Sequence, residues 1–361
     1  MFEQALADLD VEKFWRDGYA LLPAAYTDDE VETMRQQARE HNQRGGELAA
    51  GPLRHVLTDR RMVQVSQKLL GTDDIIYGGD SSATINGKIR AWHKDNTDRE
   101  DPDAPDWDDR YTQLRFGIYL QDHTEHTGGL NLKVGSHDIC DLTSGKTIYV
   151  RNRPGDLLVW SMRMTHSGAG TLLKDPNAPR DPEPHEWNAF PDDEVAPAHD
   201  ERMAVFVHFG ANDKHADRYL DYLKTRTYIV NGWRKHPFTP EVLAELAAGG
   251  LTVRDMPSEV MDDKRAGLNE KWQPFWYPGM AEPEPKVIEK IVEAPAKTVY
   301  VERAPYQAPP RQGFVKRYGR ATKRRLTGVL KGARQGWRDA EPKARRAARE
   351  AAAKEQTPQA M

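Results

Sequence analysis

The clearest chemical pattern in this 361-residue chain is carried by three residues, His93, Asp95 and His166. Two imidazoles and one carboxylate on one face of a metal leave the remaining positions open, a donor set that suits ferrous iron and dioxygen chemistry. His93 and Asp95 lie two apart, and in extended backbone residues i and i+2 point to the same side. Spacing alone decides little, because a chain with 12 His and 56 Asp/Glu also holds the pairs His123/Glu125, His199/Glu201 and His215/Asp217. Context separates them. His93 follows the extended "SATINGKIRAW" and precedes the charged "KDNTDREDPDAPDWDD", a natural rim for a site. His123 and Glu125 fall in a turn between strands, and His199 and Glu201 close a polar insertion. His215 and Asp217 fall at a helix start, where both are expected in solvent. His166 ends "RPGDLLVWSMRMTH", where the strand and the Met162/Met164 alternation aim it inward.

These residues need elements to position them. Residues 1–45 read as helical. Asp8 or Asp10 caps a segment holding Val11, Phe14 and Trp15, and Thr27 with Glu30 forms a capping box before Val31, Met34 and Ala38. The middle reads as β. Leu114, Phe116, Ile118 and Leu120 alternate with Gln113, Arg115, Gly117 and Tyr119. Leu130, Leu132 and Val134 alternate with Asn131 and Lys133, and Met203, Val205, Val207 and Phe209 alternate with Ala204, Phe206 and His208. A period of two marks half-buried strands, and short strands separated by "TGGL", "VGSH" and "RPGD" make a sandwich or barrel. Gly128, Gly129, Gly135 and Gly155 read as turn formers, since no helix start follows them to cradle a phosphate. Residues 172–200 are a polar, Pro- and Asp-rich insertion, too long for a plain turn. Residues 212–280 mix helical patches with loops that should wrap the barrel; Trp233, Trp272 and Trp276 lie there, and Trp187 lies in the insertion.

Composition bounds the rest. With 38% hydrophobic and 30% charged residues and a mean hydropathy of −0.80, the chain fits one core plus poorly buried sequence. No apolar run approaches a membrane span, and the acidic start lacks a signal pattern. Cys140 is the only cysteine, which excludes an internal disulfide and thiolate metal clusters and points to a cytoplasmic home. From Arg311 to Met361 there are 15 Lys/Arg against 4 Asp/Glu, while the remainder is acidic. The expected organisation is a catalytic domain over 1–280, an extended Pro/Glu/Lys/Val linker over 281–310 and a basic tail over 311–361. In the tail, Tyr318, Leu326, Val329, Leu330 and Trp337 share a face, as in an amphipathic basic helix that lies on an anionic membrane surface. Otherwise the tail is a solvated, partly disordered extension. Nucleic acid is not expected, because the catalytic part is acidic and no base-reading fold is seen.

In sequence order, "FWRDGYALLPAAYTDDEVETMR", "AWHKDN", "LRFGIYLQDHTEHTGGLNLKVGSH", "RPGDLLVWSMRMTHSGAG" and "ERMAVFVHFG" resemble the phytanoyl-CoA dioxygenase family of Fe(II)/2-oxoglutarate oxygenases, over roughly residues 10–215. The resemblance implies a mainly β fold with flanking helices, a double-stranded β-helix (jelly-roll, cupin-like) core with iron at its open end. It implies His93, Asp95 and His166 as the iron ligands, with 2-oxoglutarate and dioxygen as co-substrates. An arginine soon after the distal histidine then pairs with the far carboxylate of 2-oxoglutarate. Arg202 fits best, and Arg180 is the fallback in a segment that cannot form a regular strand. A guanidinium suits this task because it binds a carboxylate bidentately and keeps its charge. The hydroxyl that often assists is replaced by Gly168, leaving Ser167 or Thr171 to substitute, and "VGSH" stands where the family has Pro before Gly.

The implied reaction converts 2-oxoglutarate to succinate and carbon dioxide while hydroxylating a substrate C–H bond. Related halogenases lack the carboxylate ligand, so Asp95 argues for hydroxylation. Arg90, Trp92, Asn96, Gln113, Arg115 and Tyr119 are the candidate substrate contacts, a mixture that suits a polar or anionic small molecule, lipid-linked if the tail meets a membrane. Two other readings stay open: a cupin-like metalloenzyme that does not use 2-oxoglutarate, and a non-catalytic jelly-roll binding protein whose tail is the working part.

Overall fold

The computed structural model describes residues 1–88, 90–174, 183–186 and 189–268, without the His185 side chain. Arg180, Trp187, Trp272, Trp276, the linker over 281–310 and the tail over 311–361 lie outside the described residues. The described part lies within one unit, Met1–Pro285.

The helices are α1 (Phe2–Ala7), α2 (Val11–Asp17), α3 (Asp28–Arg44), α4 (Arg54–Thr58), α5 (Arg61–Leu70), α6 (Lys214–Thr225), α7 (Thr227–Lys235), α8 (Pro240–Ala248) and α9 (Met256–Val260). The strands are β1 (Tyr19–Leu22), β2 (Ile75–Tyr77), β3 (Ser81–Ile85), β4 (Gln113–Tyr119), β5 (Leu130–Val134), β6 (Lys146–Val150), β7 (Leu157–Ser161), β8 (His166–Gly168), β9 (Met203–Ala211) and β10 (Leu251–Val253). The major sheet runs β1-β7-β4-β9-β2-β10, with β3 also paired to β9, and the minor sheet runs β6-β5-β8. Only β2 and β10 pair in parallel; the other described pairs are antiparallel. Two facing sheets with flanking helices are the mainly β jelly-roll architecture expected from the alternating strands.

Period-two alternation decides what each face of the major sheet meets. Leu114, Phe116 and Ile118 of β4, Leu157 and Val159 of β7, and Val205, Val207 and Phe209 of β9 join Val31, Met34 and Ala38 of α3 and Met62 and Val65 of α5 in the main core. The opposite residues, Tyr119, Leu158, Trp160 and Ala204, meet Leu130, Leu132 and Val150 of the minor sheet. The helix-facing side is therefore the apolar one, and the polar residues Gln113, Arg115 and His208 are turned toward the space between the sheets.

The N-terminal region is not wholly helical. Asp10 caps α2 by accepting from Lys13 N–H, and the Thr27/Glu30 capping box opens α3. Between them, Tyr19–Leu22 pairs with Trp160–Leu157 as an edge strand. Gly18 stops α2 at φ +86°, and pairing with β7 then overrides the helical pattern. Gly155 sits at φ +85°, where a Cβ would lie 2.4 Å from the Tyr26 carbonyl oxygen. Within the described parts of the insertion Leu173 bridges Val195; outward, Ala198 bridges Thr127, and Glu183 accepts from Thr147 Oγ1 at 2.6 Å and Lys133 Nζ at 3.2 Å, both of the minor sheet.

Candidate metal centre and its cavity

His93 lies outside any named strand, yet its backbone is held like one. Its N–H donates to the His166 carbonyl at 3.0 Å, and the His166 N–H returns the bond at 2.9 Å. Asp95 N–H then donates to the Met162 carbonyl at 2.9 Å. This segment so extends the minor sheet beside β8, with alternate side chains on opposite sides. His93 and Asp95 point to the centre. Lys94 points away into a fully buried position, where its ammonium donates to the carbonyls of Ser136 and Arg163 at 2.7 Å each. Burial pushes the Lys94 amine down to about 7.

The ligand atoms of His93, Asp95 and His166 lie within 4.8 Å of one another, and among the described residues no other group of three potential metal ligands is found. The His Nε2 atoms sit 3.8 Å and 3.6 Å from the two Asp95 carboxylate oxygens. His93 Nδ1 lies 2.9 Å from the Ala91 carbonyl oxygen and His166 Nδ1 lies 3.0 Å from that of Met164. A carbonyl only accepts, so each Nδ1 carries the hydrogen and each Nε2 presents a lone pair to the centre. Burial pushes both imidazoles toward the neutral, ligating form, His166 to about 3. Burial opposes ionisation of Asp95, but the pull of His166, Arg115 and His93 outweighs it and holds the carboxyl below the usual range. Two neutral imidazoles and one carboxylate, each already oriented, fit a facial-triad metal.

Behind Asp95 stands an ion-pair chain. Arg115 Nε lies 3.3 Å from Asp95 Oδ2, and its Nη2 lies 2.8 Å from Asp80 Oδ2. Tyr219 OH donates to Asp80 at 2.5 Å. Arg115 is one of the candidate substrate contacts. It lines the cavity, but its guanidinium is committed to the two carboxylates.

The triad opens into a cavity of about 670 Å³ that Arg90, Arg115, Tyr119, Trp160, Arg202 and Phe206 also line. Arg202 enters from the start of β9. Its backbone N–H donates to Asn86 Oδ1 at 2.9 Å, its Nε donates to the Gly128 carbonyl, and its guanidinium lies over the Tyr119 ring at 5.5 Å. Gly87 leaves space here, since a Cβ would come within 3.2 Å of Arg202 Nη1. The Tyr119 hydroxyl is buried and has no partner that meets hydrogen-bond geometry. The Arg202 guanidinium and Tyr119 thus line one end of the cavity that contains the triad.

Three of the candidate substrate contacts do not reach the cavity. Asn96 is fully buried and donates to Asp106 Oδ2 at 2.9 Å, which braces the rim loop. Gln113 is fully buried between His208 Nε2, at 3.0 Å, and the Ala211 carbonyl, at 3.2 Å. Trp92 donates to Glu183 at 2.5 Å and lies under Lys133 Nζ, at 4.7 Å from the ring centre. None of the three lines the cavity. Ser167 does not line it either, because its hydroxyl donates to the Arg90 carbonyl at 2.5 Å. His215 is buried rather than solvated, with Nδ1 3.0 Å from Thr112 Oγ1. Sequence reasoning missed Glu47, Asp80 and Lys94. Only Lys94 carried a signal, its place between two ligands in an alternating segment.

No family model matches the chain, and no curated protein sequence matches it. Solved structures with similar folds include EvdMO1 (16% identity, 58% of this chain and 50% of that chain, TM-score 0.42), of whose length the match spans half. The non-heme alpha ketoglutarate dependent carbocyclase SnoK from nogalamycin biosynthesis is 17% identical over 58% of this chain and 86% of its own, with a TM-score of 0.41. EctD from S. alaskensis, solved with 2-oxoglutarate and 5-hydroxyectoine, is 19% identical over 56% of this chain and 74% of its own, with a TM-score of 0.40. Similarity of this extent assigns no chemistry, which has to come from the site's own residues.

Proposed function

We propose that this chain is an Fe(II)- and 2-oxoglutarate-dependent oxygenase that hydroxylates a polar small molecule. The observation that carries the reading is the placement of a preoriented His93/Asp95/His166 set and the Arg202–Tyr119 pair in one cavity. The sequence resemblance to the phytanoyl-CoA dioxygenase family supports it. Bound iron supplies dioxygen activation coupled to decarboxylation of 2-oxoglutarate to succinate and carbon dioxide.

The chain's own residues bind, orient and exclude water. His93 and His166 offer Nε2, Asp95 offers a carboxylate oxygen, and Arg115 fixes that carboxylate's direction. Arg202 takes the far carboxylate of 2-oxoglutarate, with the Tyr119 hydroxyl donating to the same group in place of Ser167. Leu130, Trp160 and Phe206 supply apolar wall, which strengthens charge interactions inside by keeping water out. Arg90 stands at the exposed side of the cavity and suits an anionic part of the substrate.

Anaerobic titration of the protein with Fe(II) and then 2-oxoglutarate tests this. The expected result is a weak visible charge-transfer band that Arg202→Ala loses and Arg180→Ala keeps. No band in the wild type overturns the reading in favour of a cupin-like enzyme without 2-oxoglutarate. The basic residues 311–361 support peripheral contact with anionic membrane. Sedimentation with phosphatidylserine vesicles should depend on them, and equal recovery with and without them ends that idea.

A further inference from the structure

The cavity wall away from Arg202 holds a buried carboxyl, Glu47, that no cation among the described residues pairs. Gly45 and Gly46 adopt φ of +71° and +90° after α3, and the turn they make delivers Glu47 to the wall. Glu47 is 6% exposed. Its Oε2 accepts three hydrogen bonds, from Tyr77 OH at 2.8 Å, Ser81 N–H at 2.8 Å and Ser81 Oγ at 2.6 Å. Its Oε1 accepts none from the described residues, and Glu47 lines the cavity. No Lys or Arg nitrogen among the described residues lies within ion-pair distance of it, whereas the nearby Asp80 is satisfied by Arg115 and Tyr219.

Buried carboxylates are normally paired, because an uncompensated buried charge is costly. Glu47 stays tolerable without a partner by holding a proton, and burial pushes its carboxyl up to about 8. Three donors on Oε2 leave Oε1 as the oxygen that carries this proton. An ammonium entering the cavity would displace this proton to solvent, which leaves Oε1 charged and able to accept the ammonium N–H. The surrounding wall suits such an occupant. Tyr228 and Trp233 supply aromatic rings, and Gly232 supplies room, since a Cβ there would have no atom within 4 Å.

We propose that Glu47 Oε1 is the recognition point for a protonated primary nitrogen of the substrate, held between Glu47 and the α7 wall. The inference deepens the proposed function by naming a substrate class: an amine-bearing molecule whose cationic end sits at Glu47. It rests on that function only in calling the occupant a substrate, because the site itself needs neither iron nor 2-oxoglutarate.

The test uses n-butylammonium as probe and 1-butanol as its neutral counterpart, titrated by calorimetry into the full chain at pH 7.5. It is run without added metal and again with Fe(II) under nitrogen, so that a failure to bind iron leaves this result intact. Wild type should bind the ammonium about tenfold more tightly than the alcohol, as a charge-assisted hydrogen bond requires. Glu47→Gln should bring that ratio to about one. Gly232→Leu should weaken both probes without touching the carboxyl, and it remains informative if Glu47→Gln does not fold. Equal binding of the two probes by wild type overturns the proposal. So does an unchanged preference in Glu47→Gln, or unchanged affinity for both probes in Gly232→Leu.

Discussion

His93 and His166 are joined backbone to backbone by a reciprocal pair of hydrogen bonds, of 3.0 Å and 2.9 Å, with their rings 4.2 Å apart at the centroids. The two ligands are therefore set by a β-bridge between a loop and a short strand, so the geometry exists before any metal arrives. Asp95 depends on a second device, the Arg115 guanidinium behind it.

Removing a ligand should abolish metal binding without unfolding the chain. His166→Ala and Asp95→Ala are expected to weaken Co(II) binding more than about 100-fold, beyond what loss of an outer partner causes. Calorimetric titration with Co(II), alongside a melting curve, checks this. Retention of wild-type affinity in Asp95→Ala would remove the carboxylate from the ligand set.

The Arg202–Tyr119 end should control 2-oxoglutarate affinity. Arg202→Ala is expected to raise the 2-oxoglutarate KM about 100-fold, and Arg202→Lys should recover little, because an ammonium cannot replace the bidentate fork. Tyr119→Phe should raise it about tenfold, the worth of one hydrogen bond to a charged group. Succinate release as a function of 2-oxoglutarate concentration reads all three.

Arg115 and Asp80 should behave as a coupled pair. Arg115→Met leaves Asp80 buried without its cation and is expected to cost about 3–5 kcal/mol of stability. Asp80→Asn in the same chain should return part of that loss. Denaturant melts of the two single variants and the double form the cycle, and additive effects would show that the 2.8 Å pair carries no coupling.

Glu47 predicts a pH dependence with a definite sign. Burial raises its carboxyl from 4.5 to about 8, with the Asp80 charge adding to the effect against the donors Ser81 and Tyr77. Between those values the folded state holds a proton that the unfolded state has lost, so stability falls as pH rises. The contribution is complete below about pH 4.5 and gone above about pH 8, and it amounts to a few kcal/mol, as an order of magnitude. Wild type should therefore lose stability relative to Glu47→Gln between pH 5 and pH 8.5. Parallel stability curves for the two proteins would contradict the raised carboxyl.

The sequence by itself determined the elements whose signals are local. The Thr27/Glu30 box, the alternation in β4, β5 and β9, and the His-x-Asp beside an inward-aimed His166 are short-range patterns that period and capping make visible. Tertiary structure decided everything that depends on which face an alternating residue meets. Gln113, Arg115 and Tyr119 share one face of β4, yet Gln113 is used up by His208 and the Ala211 carbonyl, Arg115 by two carboxylates, and only Tyr119 stands beside Arg202. Asn96 and Ser167 read as polar and available, but Asp106, ten residues on, and the Arg90 carbonyl, 77 residues back, took their hydrogen bonds. Glu47 had no signal at all, because a glutamate after two glycines looks solvated until α3, β2 and β3 close over it. A buried polar group is defined by what surrounds it, and those neighbours come from distant parts of the chain.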